Sequence, residues 1–251
     1  MKIIIYICNW RCYTPTIERA SGKRFPPGVQ CKGGCSLTDQ ITRALCGAAG
    51  GALCAALAWV WTQRLLAQRG HELSLTMTQK YFLGAGIILC GAAIGILTEG
   101  VVTGIYGLLL LCICVTAAVI DWNFRIIPNE TVLALLALTV LFGIPALLGI
   151  GGFPPFAPLQ SLLGLLACFA VFFAPSLMGK KVGAGDVKFA AAMGFCLGLT
   201  NALVAVAVMG VLMLAWCVVQ RQMPLLAMLK SNIPMGPFLT AGLLVTFLWT
   251  V

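Results

Sequence analysis

The feature that most constrains this chain is a series of long apolar runs joined by short connections. The runs fall at about 43–63, 81–98, 101–120, 131–150, 159–178, 189–199 with 202–219, and 234–251. A helix needs about 20 mostly apolar residues to cross a bilayer. Only helices and closed barrels satisfy their backbone in lipid. These runs are rich in Leu, Ala and Gly and lack the alternation of a barrel strand. The expected fold is all-α, a polytopic membrane bundle of roughly seven to eight transmembrane helices. Stretch 189–219 is too long for one untilted crossing, so two short spans are expected, with a break near Gly198 to Asn201.

Composition agrees. Hydrophobic residues make up 61% and charged residues 9%, against about 45–50% and about 25% in soluble domains. A soluble enzyme, a disordered chain and a disulfide-stapled secreted domain are excluded. The net charge of +9 does not point to nucleic acid, because the basic residues sit in connections and do not interleave with aromatics along a strand-binding face.

The connections carry orientation. Arg64, Arg69, His71 and Lys80 lie between the first two runs, Arg125 in 121–130, Lys180, Lys181 and Lys188 in 179–188, and Arg221 and Lys230 in 220–233. The turn at Thr98-Glu99-Gly100 and the stretch 149–158 have no basic residue. Basic and non-basic connections alternate, which places 121–130, 179–188 and 220–233 in the cytoplasm. Counting back three spans puts the basic tail 1–42 on the other side, against the same rule. Either 43–63 does not cross fully, or the tail has another reason to be there.

Seven residues are acidic: Glu18, Asp39, Glu72, Glu99, Asp121, Glu130 and Asp186. Asp121 closes one apolar run and Asp186 opens another, both at the face carrying basic connections. An aspartate is too short to snorkel far, so at a span end it is either paired or functional. Taken singly, Asp121 could face water or pair with Arg125, and Asp186 could simply favour a helix N-terminus. Taken together, two carboxyls can share one proton, one acting as base on a water and the other as acid. The single His71 supports neither a Ser-His nor a Cys-His relay. Gly183 and Gly185 precede Asp186 and allow a tight backbone turn and close approach of a substrate strand.

Three stretches carry a resemblance to a known family. They are Ala118-Val119-Ile120-Asp121 with Ile127-Pro128-Asn129, then Gly183-Ala184-Gly185-Asp186-Val187-Lys188 with Ala190, Ala191 and Gly194, then Ile233-Pro234-Met235-Gly236-Pro237-Phe238-Leu239. In order and spacing they resemble the type IV prepilin peptidases, the GxGD-type membrane aspartyl peptidases that cut pilin and pseudopilin leaders. The resemblance implies that Asp121 and Asp186 are catalytic and that Gly183 and Gly185 form the GxGD turn. It implies a substrate with a short basic leader ending in Gly, followed by an apolar helix. Cleavage is then expected at the cytoplasmic face of the bacterial inner membrane. The partners are prepilin or pseudopilin and membrane lipid, without nucleic acid, and the oligomeric state stays open. No cofactor or metal is expected for the hydrolysis.

The N-terminal part departs from the family. Many members carry a large cytoplasmic domain with two CxxC pairs, associated with methylating the new N-terminus from S-adenosylmethionine. Here residues 1–42 form a basic, Cys-containing tail before a transmembrane peptidase domain at 43–251. Cys8 with Cys12 and Cys31 with Cys35 are CxxxC pairs. Their four thiolates are candidates for a structural zinc, set against free or oxidised thiols in a poorly ordered tail. S-adenosylmethionine enters only if the chain methylates, so a peptidase-only member is the expectation. Rival readings are another GxGD protease acting on signal peptides, a small proton- or cation-coupled transporter using Asp121 and Asp186, and a non-catalytic assembly protein. Relatives of the first rival favour Tyr before the first aspartate, where this chain has Ile120.

Overall fold

The computed structural model describes residues 37–73, 75–98, 100–177, 183–219 and 234–250. All regular structure among them is helical: α1 Leu37–Ala67, α2 Met77–Leu97, α3 Val101–Phe124, α4 Asn129–Leu147, α5 Pro158–Leu177, α6 Ala184–Val219 and α7 Gly236–Thr250. Six of the seven are long and apolar enough to cross a membrane, and α7 is a shorter apolar helix. The all-α, multi-span expectation holds. The four cysteines of the zinc candidate, with Lys180, Lys181, Arg221 and Lys230, lie outside the described residues. Helix α1 is a 31-residue span that begins at Leu37. Its length and composition suit a full crossing.

Local chemistry sets the helix ends. At α2, Thr76 Oγ1 accepts the Gln79 N–H and the Thr76 N–H donates to Gln79 Oε1, a reciprocal capping box. Pro128 caps α4 with φ −63°, as expected of a residue whose ring presets the entry to the next span. Its carbonyl also accepts the Thr131 hydroxyl at 2.7 Å. Helix α3 closes on Arg125, whose φ of 56° is left-handed, with its N–H returned to the Asp121 carbonyl at 2.8 Å. That cap reverses the chain immediately after Asp121.

Helix α3 is the centre of the bundle. Half of its most apolar window is buried inside the protein, against about a fifth for α1, α2, α5 and α6. Leu110, Cys114 and Ala117 of α3 meet Leu135 and Leu138 of α4, Phe189, Ala190 and Met193 of α6, and Leu239 and Leu243 of α7 in one core. The outer faces carry exposed Leu, Ile, Val and Phe, the surface a lipid-facing helix presents.

Helix α6 is broken at Gly198, with φ 75° and ψ 169°. The arm before the break runs antiparallel to α5. Gly194 packs on Gly164 and Cys168, and Gly198 packs on Gln160. The arm after it returns. Ala205 meets Gly242 of α7, and Trp216 packs against Trp122 and Phe238 at the end of the bundle that holds Asp121. Thus 184–197 and 199–219 are two helical arms that run in opposite directions, with the break where the length of the run predicts it.

Close helix packing relies on glycine where backbones touch. Gly47 and Gly51 of α1 face Gly91 and Gly95 of α2 so closely that a Cβ at any of them would strike the opposite backbone. Gly84 and Gly86 of α2, by contrast, have open space around them.

Candidate active site

Two helices bring the aspartates to one end of the bundle. Asp121 sits in the last turn of α3 and is 4% exposed. Asp186 sits in the first turn of α6 and is half-buried. The Asp121 carboxyl is close enough to act on Asp186 through its charge. These two carboxyls are 65 positions apart in the chain, and the α3–α4–α5–α6 path folds them together.

Their surroundings differ. Asp121 Oδ2 accepts the backbone N–H of Gly236 at 2.7 Å. Arg125 lies within electrostatic reach of Asp121, but the described ion pair in this region is Arg69 with Glu130 at 2.7 Å. The pairing of Asp121 with Arg125 considered from sequence is replaced by the Gly236 hydrogen bond. Asp186 Oδ1 is buried and accepts no hydrogen bond among the described residues. A buried acceptor without a donor is costly, so the geometry leaves this oxygen ready for a group brought from outside.

The GxGD turn serves Asp186 by leaving room for it. Gly183 accepts the N–H groups of Asp186 and Val187 at 3.1 and 3.3 Å and so starts the helix. A Cβ on Gly183 would come 2.7 Å from Asp186 Oδ2. A Cβ on Gly185 would come 3.1 Å from Ile127 Cβ and 3.3 Å from the Ile127 carbonyl. Neither glycine has a positive φ. Their contribution is missing side-chain volume, with Gly183 beside the carboxyl and Gly185 beside the loop that follows Asp121.

Further contacts join the same two motifs. Lys188 Nζ donates to Asn129 Oδ1 at 3.2 Å, linking the first turn of α4 to the first turns of α6. The connection between α1 and α2 reaches this end too. His71 packs on Phe124, ring centroids 5.0 Å apart, while Arg69 holds Glu130. A cavity of about 280 Å³ opens beside this end of α3, lined by Leu75, Leu83, Val119, Trp122 and Pro237 among others. Among the described residues, no three of His, Cys, Asp or Glu gather closely enough to hold a metal ion.

Gly236 stands within the third motif, where the side-chain pattern assigns it no role. The available signal was a glycine between Pro234 and Pro237 at the start of a span. A residue with no side chain at such a place marks a close approach.

Neither a curated protein nor a solved structure matches this chain. A family model does match, over residues 108–218, a stretch that runs from the core of α3 to the returning arm of α6 and includes both Asp121 and Asp186. That model describes the type IV leader peptidase family, which residues 108–218, the aspartate pair among them, resemble.

Proposed function

We propose that the protein is a membrane aspartyl endopeptidase that removes the leader of type IV prepilins or pseudopilins at the cytoplasmic face of the inner membrane. The observation that carries the reading is that Asp121 and Asp186, on separate helices, lie at one end of the bundle within electrostatic reach of each other, inside the family-matched segment. Asp121 and Asp186 are the catalytic pair. One carboxylate takes a proton from a water, and the resulting hydroxide adds to the scissile carbonyl carbon. The other carboxyl gives its proton to the carbonyl oxygen. The tetrahedral intermediate then collapses, breaking the C–N bond: the departing amine takes the proton held by the base, and one hydroxyl of the intermediate returns a proton to the other carboxylate. The unpartnered Asp186 Oδ1 suits a group that engages substrate or water only when they arrive.

The test is cleavage of a co-expressed prepilin by wild type, Asp121→Asn and Asp186→Asn. Asn keeps size and polarity but cannot cycle a proton, so each variant is expected to lose about 10²–10⁴-fold in rate while inserting at normal levels. Near wild-type cleavage by either variant would overturn the assignment. The intact mass of the mature product reads, in the same experiment, whether its new N-terminus carries a methyl group.

A further inference from the structure

We infer that Gly236 is a positioning residue for Asp121, acting through its backbone N–H and through the absence of a side chain. The inference rests on the two-aspartate reading above and adds a third element, α7, to the site. Gly236 opens α7 and is buried. The first N–H groups of a helix have no acceptor within it. In α7 most of them are accounted for locally. Pro237 has none, and those of Phe238 and Leu239 return to the Met235 carbonyl at 3.1 and 3.0 Å. The Gly236 N–H is left pointing at Asp121 Oδ2, 2.7 Å away, from the positive end of the helix.

The approach requires glycine. A Cβ at position 236 would lie 2.7 Å from Asp121 Cβ, 2.7 Å from its Oδ2 and 2.9 Å from its Cγ. Any side chain there strikes the catalytic carboxyl along its whole length. The residue holds one of the two oxygens of Asp121 in place and leaves the other for water or substrate. It lies outside the segment 108–218 that carries the family match.

The experiment compares wild type, Gly236→Ala, Asp121→Asn and Gly242→Ala, purified in detergent, for prepilin cleavage and thermal unfolding. Gly242 is on the same helix, and its Cβ would press on the Ala205 carbonyl, so it reports a packing defect without contact to Asp121. Gly236→Ala is expected to lower kcat about 10²-fold with KM within twofold of wild type. Gly242→Ala is expected to lower the Tm. A Gly236→Ala kcat within threefold of wild type overturns the inference, as does a loss that only follows a fallen Tm. If Gly236→Ala unfolds, the clash is read in an Asp121→Gly background, which has no side chain to strike. There, adding Gly236→Ala is expected to leave the Tm unchanged, and a further drop overturns the inference. If wild type does not cleave, or Asp121→Asn does, the two-aspartate reading itself fails. If Asp121→Asn is dead and Gly236→Ala is fully active, only the role of Gly236 fails.

Discussion

Gly183 and Gly185 look equivalent in the sequence and are not equivalent in the fold. The first faces the end of a rotatable side chain, the Asp186 carboxyl, and the second faces the Ile127 backbone. A methyl group at 183 is accommodated by turning the carboxyl, so Gly183→Ala is expected to keep its Tm and lose about 10²-fold in cleavage rate. At 185 a methyl displaces the loop after Asp121, so Gly185→Ala is expected to lose stability as well. Cleavage and thermal unfolding of the two variants, measured side by side, check the distinction. Equal Tm losses in both would sink it. The aspartates themselves were legible because an ionised group in so apolar a chain has few reasons to be there. The seat of Asp121 was not, because its donor is a backbone N–H 115 residues away. No side-chain pattern records such a partner.

The helices were largely readable from hydropathy alone, since each run is long enough to cross and bounded by Pro, Gly or charge. Pro128 and the Thr76–Gln79 box end up where their chemistry puts them. What hydropathy could not separate was a packed glycine from a spare one, as Gly91 and Gly86 show. The break in α6 falls between these cases. Its length announced a reversal, and Gly198 makes the reversal with a backbone of φ 75° and ψ 169°, a region used almost only by glycine. Gly198→Ala is therefore expected to cost about 1–3 kcal/mol. Gly210→Ala, in open space on the returning arm, is expected to be neutral or to stabilise by up to about 1 kcal/mol. Thermal unfolding in detergent checks the pair. A Gly198→Ala variant as stable as wild type would refute the account of the turn.

At the scale of the whole molecule, the contacts of the α1–α2 connection fix which ends lie together. Arg69–Glu130 is partly exposed and is worth about 1 kcal/mol at most, so it reports placement more than it supplies stability. With His71 on Phe124, it sets the 68–76 connection on the same face as Asp121, as the alternation of basic connections requires. Topology reporters fused after Gly70 and after Ile126 are expected to report one side of the membrane, and fusions after Gly100 and Gly151 the other. Opposite sides for Gly70 and Ile126 would contradict the arrangement.

The hydrogen bond from Gly236 to Asp121 also carries a consequence in time. A ribosome delivers the chain from its N-terminus, so the helices that carry Asp121 and Asp186 are translated before α7. Through that interval Asp121 and Asp186 are both present, but the first lacks the backbone donor that holds it. The seat of Asp121 is complete only once α7, made after α3, has packed against it.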